Sequence, residues 1–306
     1  MKKLLAIVGP TAVGKTELSL RLAKEFHGEI VNADSRQVYR YMNIGTAKPA
    51  PEALAKVPHH LIDIADPDDD FGLAQYQELA YKTIGDIQQQ GKVPLLVGGT
   101  GQYVWAVLEG WVIPSVAPDT QFRKRLQARA DNGGSCDLYR ELEKADPAAA
   151  SRIDPRNVRR VIRALEVLQH AGEPFSGLQK KVPPDYDILI LGLTAERKEL
   201  YRRIDFRVDK MIETGLVDEV RGLISKGYSP DLPSMSGIGY RQIGQYLKGE
   251  LTLEAAVEKM KFATHRIARQ QYTWFRLDDE RIRWFDIGEG LDAKYLDKLT
   301  SGFFTA

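Results

Sequence analysis

Eight consecutive residues, Gly9, Pro10, Thr11, Ala12, Val13, Gly14, Lys15 and Thr16, constrain this chain more than any other stretch. They fit G-x-x-x-x-G-K-[ST], the pattern of a phosphate-binding loop. The apolar run Leu4-Leu5-Ala6-Ile7-Val8 precedes them and reads as a buried strand. After them, Leu18, Leu22 and Phe26 share one helical face. In a strand–turn–helix of this kind, backbone N–H groups point at an anion. Lys15 adds a point charge, and the Thr16 hydroxyl is suited to magnesium. The motif alone leaves the phosphate compound open.

The chain has 306 residues, enough for one large or two smaller domains. Its net charge of +1 gives no global sign of nucleic-acid binding, so such a role would need local basic patches. A single cysteine, Cys136, excludes an intramolecular disulfide framework and a cysteine-rich zinc site. No apolar run approaches the roughly 18 residues of a membrane span, and Met1-Lys2-Lys3 leads into a strand rather than a signal peptide. A cytoplasmic enzyme without membrane contact is expected.

Further strands are expected at Glu29–Asp34 and Val93–Val97, with helices at Leu73–Gln90 and Thr100–Leu108. The stretches His59–Asp63 and Asp66–Asp70 read as loops. Alternating strands and helices imply a parallel α/β sheet, whose ligands bind beyond the carboxyl ends of the strands. The loop 9–16, Asp34 and Thr100 therefore converge on one edge. From Ile113 to Pro184 the pattern is helical, and a buried strand resumes at Tyr186–Leu193. We expect a core of residues 1–112 and 185–306, mostly helical in its later part, with a helical insertion at 113–184. A short strand is possible at Ile282–Phe285.

Asp34, at its strand tip, suits a magnesium ligand, a general base or a turn. Gly98-Gly99-Thr100 ends the third strand without a second carboxylate, which argues against ATP hydrolysis. The Thr100 hydroxyl lies where two glycines admit a ligand, or caps a helix. Arg207 shares a helical face with Leu200, Ile204 and Met211, so it needs a buried acid, an anion or a route to solvent. Arg156, Arg159, Arg160 and Arg163 form one stripe with no acid between them, as a polyanion footprint or a solvated face would. Lys261 to Arg276 interleaves His265, Arg266 and Arg269 with Tyr272, Trp274 and Phe275, which suits base stacking or core packing.

These stretches together resemble the tRNA dimethylallyltransferase (tRNA isopentenyltransferase) family, bacterial type. Beyond the phosphate loop, the matching pieces are Asp34-Ser-Arg-Gln-Val-Tyr39, Gly45-Thr-Ala-Lys48, His59-His-Leu-Ile-Asp63 and Gly98-Gly-Thr-Gly-Gln-Tyr103. Later come Asn157 to Glu166, Arg207 to Met211, Gly237-Ile-Gly-Tyr240 and Thr273-Trp-Phe-Arg276, so the ordered set covers nearly the whole chain. The resemblance implies a P-loop NTPase-like core carrying an inserted helical tRNA-binding domain. It implies transfer of a dimethylallyl group from dimethylallyl diphosphate to N6 of the adenine just 3′ of the anticodon, with Mg2+. Residues 9–16 would hold the diphosphate, Thr16 the metal. Asp34 would take the amine proton, and Thr100 and Arg207 would face the diphosphate. Asp34, Ser35, Arg36, Gln37, Asn157, Val158, Arg159, Arg160 and Val161 would touch the tRNA anticodon stem-loop, with Arg123 a further contact. A monomer is expected.

Two positions depart from the family pattern. Val13 stands where serine is common, and Ala268-Arg-Gln-Gln271 replaces a common Ala-Lys-Arg-Gln. Three other readings remain at this level. A small-molecule kinase would share the loop but have little use for the arginine stripe. A prenyltransferase of free adenine nucleotides would not need the insertion. An RNA-binding protein that merely senses a nucleotide would not need Asp34.

Overall fold

A computed structural model describes residues 2–305 except 115, 117–118, 172–174, 179, 289 and 291; the side chains of residues 171 and 178 are also outside it. Met1, placed above ahead of the first strand, lies outside the described residues. The chain divides into one unit of residues 1–108 and 185–306 and a second of residues 109–184.

The first unit is built on a parallel sheet. Its strands are β1 (Lys2–Val8), β2 (Gly28–Asn32), β3 (His59–His60), β4 (Val93–Val97), β5 (Tyr186–Thr194) and β6 (Ile282–Asp286). Their order is β3-β2-β4-β1-β5-β6, every pair parallel. β1 lies centrally, with Leu5 opposite Leu95 on one side and Leu189 on the other. Residues 4–8 are fully buried because helices cover both faces, which is why this strand is a continuous apolar run.

His59–His60, expected as loop, forms the edge strand β3 opposite Ile30 and Val31. A two-residue strand has too little periodicity to be read from sequence. It is pinned by Glu29, a nearly buried carboxylate that takes hydrogen bonds from Lys92 and contacts His60 Nε2, each at 2.6 Å.

The glycine ending β1 has a packing reason. Gly9 has φ +135, and a Cβ there would lie 2.3 Å from the Leu193 carbonyl oxygen on the neighbouring strand β5. Beyond the sheet, the strand-end loops continue to bond: Ala33 N–H donates to Val97 O, and Thr100 N–H to Ala33 O. The helices Arg197–Glu213 and Leu253–Trp274 pack together in this unit.

The second unit is helical, with helices at Thr120–Arg129, Ser135–Ala145, Pro147–Ala150 and Val158–Ala171. Its core comprises Leu126, Leu138, Leu142, Ile153, Val161 and Leu165, among others. Its ends are clasped: Val112 N–H donates to Lys180 O and Val182 N–H to Gly110 O. That clasp explains why the unit begins at Glu109, before the sequence changes character.

Candidate active site

The helix Lys15–Glu25 starts from Gly14 in the left-handed region (φ 91), and Ala12 also has positive φ (66). Alternating handedness turns successive N–H groups into one concavity, an anion nest. Ala12 carries backbone strain that a glycine would avoid, as binding loops often do. Val13 is fully buried among Leu18 and Leu22, so it offers the site its backbone rather than its side chain.

The loop lines a cavity of about 680 Å³ together with Asp34, Gln37, Arg203, Arg207 and Lys210. A second cavity of about 570 Å³ is lined by Asp34 to Arg36, Thr100 to Gln102, Met211, Ile238 and Trp274. Both are walled by Thr11, Asp34, Gly99, Arg207 and Gln271. Each is of ligand-site size, and the shared wall makes them two approaches to one set of groups.

Three charges gather at or beside that wall, Asp34 and Arg207 in it and Lys15 in the first cavity next to it. The Lys15 ammonium turns inward onto the carbonyl oxygens of Gly9 (3.0 Å) and Pro10 (2.6 Å). Burial brings its pKa down to about 7; the Arg207 charge pushes the same way and the Asp34 carboxylate opposes both. The Arg207 guanidinium, its pKa also lowered by burial, donates to Thr11 Oγ1 at 3.4 Å. Among the described residues it has no carboxylate within ion-pair distance. Two inward cations facing one carboxylate leave positive charge for an anion to neutralise.

Asp34 is both a turn former and a cavity residue. Its Oδ1 accepts from Arg36 N–H at 2.8 Å, while the residue lines both cavities. Thr100 lines only the second cavity, where its hydroxyl accepts from Ser35 N–H at 3.0 Å. Arg36 donates to Pro233 O at 3.1 Å, and Gln37 to Thr46 O at 3.2 Å. Residues 34–37 are thus held rigidly at the sheet edge.

The metal expectation has a limited donor set. Among the described residues, no group of three or more His, Cys, Asp or Glu could hold an ion. Thr16 lines the first cavity with one hard oxygen. That fits magnesium whose other ligands are phosphate oxygens and water.

In the helical unit, Asn157 caps its helix by accepting from Arg160 N–H at 3.2 Å. Arg159 and Arg160 have exposed side chains without a charged partner among the described residues. The expected four-arginine stripe is otherwise taken up. Arg163 donates to Glu166 at 2.6 Å, and Arg156 pairs with Asp154 at 2.7 Å. The acids lie just outside the 156–163 window, so spacing within it did not reveal them. Arg123 grips the fully buried Glu166 through two bonds of 2.8 and 2.9 Å, an anchor within the fold. Val161 is 1% exposed in the core, so its side chain has no surface to offer RNA; Val158 is half-buried.

The stretch 261–276 is largely committed to packing. Lys261 pairs with Asp209 at 2.8 Å, and His265 stacks on Tyr201 with centroids 3.9 Å apart. Phe275 is fully buried and the Tyr272 hydroxyl bonds to Thr194. Trp274 remains partly exposed beside the second cavity.

Other site residues were missed by sequence reasoning. Arg203 and Lys210 line the first cavity with Arg207, a helical i, i+4, i+7 series that periodicity could have found. Glu219 accepts from the N–H groups of Asn43, Ile44 and Gly45 and from the Tyr240 hydroxyl, fixing the loop beside Thr46 and Ala47. No local signal pointed to it, because its partners lie far away in sequence.

A parallel sheet with a phosphate nest at its edge, and a carboxylate facing two cations across it, defines a P-loop-type α/β enzyme acting on a phosphorylated substrate. The family model described as IPP transferase matches residues 37–278, and that described as Isopentenyl transferase matches residues 2–66. The tRNA dimethylallyltransferase of Roseiflexus castenholzii is 57% identical over 90% of each chain. That of Dehalococcoides mccartyi is 52% identical over 95% of this chain and 89% of its own. The chain belongs to the tRNA dimethylallyltransferase family. Among solved structures, it resembles the tRNA isopentenylpyrophosphate transferase of Bacillus halodurans, with a TM-score of 0.74, 42% identity and coverage of 100% and 97% of the two chains. A eukaryotic dimethylallyltransferase acting on tRNA gives a TM-score of 0.84 at 28% identity, covering all of this chain and 80% of that one.

Proposed function

We propose that this chain transfers a dimethylallyl group from dimethylallyl diphosphate to N6 of the adenine immediately 3′ of the anticodon in tRNA, releasing diphosphate. The observation that carries the reading is the inward Lys15–Arg207 pair beside Asp34, without a carboxylate partner for Arg207 among the described residues. Breaking an allylic carbon–oxygen bond leaves both bonding electrons on the diphosphate. The N–H groups of residues 12–16, Lys15 and Arg207 stabilise that growing charge. The adenine N6 lone pair forms the new carbon–nitrogen bond, and Asp34 accepts the proton the nitrogen then sheds. The Thr16 hydroxyl would hold magnesium together with phosphate oxygens, and the ion, when bound, would supply further positive charge for the leaving group.

The target base must leave its stack to reach Asp34, which lines both cavities. We assign the second cavity, floored by residues 34–36 and Thr100, to the side from which the base enters. Arg159 and Arg160 contact the RNA backbone from the helical unit. We read the enzyme as cytoplasmic and monomeric; among the described residues no helix is long and apolar enough to cross a membrane.

The test is incubation with labelled dimethylallyl diphosphate and unmodified tRNA. Label entering the RNA at that adenine supports the reading. Transfer of phosphate from ATP to a small molecule, with none of this incorporation, overturns it.

A further inference from the structure

Gln271 joins the two strand-end loops of the site. It is carried by the helix Leu253–Trp274, far from both in sequence. Its Oε1 accepts from Thr11 N–H at 2.8 Å, and its Nε2 donates to Gly99 O at 2.9 Å. The partners have fixed polarity, one a donor and the other an acceptor. Only a side chain with an acceptor and a donor on one carbon satisfies both without adding charge, and a neutral amide is that group. Gly99 makes room for it: a Cβ there would lie 2.3 Å from Nε2.

We propose that Gln271 is a positioning residue for the diphosphate. It ties Thr11, where the phosphate nest begins, at a set distance from Gly99 and closes the wall shared by the two cavities. The inference rests on the diphosphate reading above and deepens it. Thr11 also bears the hydroxyl that Arg207 reaches, so the tether fixes the nest relative to its cation as well. Replacing the amide by a carboxylate keeps the shape and the Thr11 bond. It sets lone pairs against the Gly99 carbonyl and a negative charge beside the leaving group.

The experiment measures binding of inorganic diphosphate by calorimetry, and KM for dimethylallyl diphosphate and for tRNA, in four proteins. These are the wild type, Gln271→Glu, Gly99→Ala and the double variant Gly99→Ala/Gln271→Ala. Loss of one such hydrogen bond in a partly buried site corresponds to roughly tenfold weaker diphosphate binding. Gln271→Glu should show that loss or more, with KM for tRNA unchanged and a thermal unfolding midpoint close to wild type. Gly99→Ala should behave similarly by displacing the amide, and the double variant should be no worse than Gly99→Ala alone. Unchanged diphosphate affinity in Gln271→Glu, a shift confined to KM for tRNA, or a double variant that binds diphosphate more weakly than Gly99→Ala alone would overturn the proposal. A wild type that binds no diphosphate would instead remove the reading beneath it.

Discussion

Arg207 and Thr11 touch across the phosphate nest, guanidinium to hydroxyl at 3.4 Å. The contact is long and binds a charge to a neutral group, so it does little to offset the cost of burying the arginine. The helix Arg197–Glu213 therefore brings a cation to the nest whose main partner must come from outside the chain. Arg207→Ala should lower kcat by about 100-fold, the size expected when one preorganised donor to a developing charge is lost. Arg207→Lys should recover only part of this, since an ammonium lacks the planar fork. Steady-state kinetics with saturating tRNA check it; a change confined to KM for tRNA contradicts it.

Asp34 offers a cleaner substitution than truncation. Its Oδ1 accepts from Arg36 N–H, a bond that asparagine reproduces while losing basicity. Asp34→Asn should keep diphosphate affinity and folding, yet slow transfer by about 10²–10⁴, the range for loss of a general base. Single-turnover assays with enzyme-bound substrates measure the chemical step directly. A variant with normal turnover but weak diphosphate binding would assign Asp34 to binding instead.

Lys15 sets a pH dependence. Burial brings its pKa down to about 7, so the empty site loses this charge as pH rises through neutrality. An anion favours the charged form, so binding diphosphate above that pH takes up a proton. Affinity should then fall by up to about tenfold per pH unit over this window, the slope of one linked proton. Calorimetry in buffers of different ionisation enthalpy reads the uptake. Lys15→Met should abolish the share due to the lysine, leaving only the ligand's own ionisation.

Arginines of the helical unit should separate into two groups. Replacing Arg159 and Arg160 together should weaken tRNA binding and flatten its salt dependence by roughly two charges' worth of counterion release. Arg123→Ala should act on stability instead, because it leaves Glu166 fully buried with, among the described residues, only Arg163 and the Asp119 N–H as partners. A loss of about 2 kcal/mol is expected from an under-compensated buried carboxylate. Thermal unfolding and a salt titration of tRNA binding distinguish the groups.

Much of this molecule was legible locally. A buried strand running into G-x-x-x-x-G-K-T announces itself because backbone geometry and phosphate chemistry impose it within one turn of chain. The alternation of strands and helices gave the parallel sheet, and the helical character of 113–184 was equally plain. Arg207 stood out as a charge on an apolar face. The arginine stripe could not be resolved locally, because Asp154 and Glu166, the partners of Arg156 and Arg163, lie outside the window in which it was read. The Val161 side chain, expected to touch tRNA, faces the core of the helical unit.

What the sequence determined by itself was therefore the anion nest, the sheet that carries it and the family to which both resemble. These depend on neighbours within a few residues, where spacing maps directly onto geometry. Only the tertiary structure decided which arginines remain open, which carboxylate holds the loop at 43–45, and that Gln271 reaches between Thr11 and Gly99. Those are pairings between segments up to some 260 residues apart, chosen by packing of helices on the sheet, and no local pattern encodes which donor will meet which acceptor.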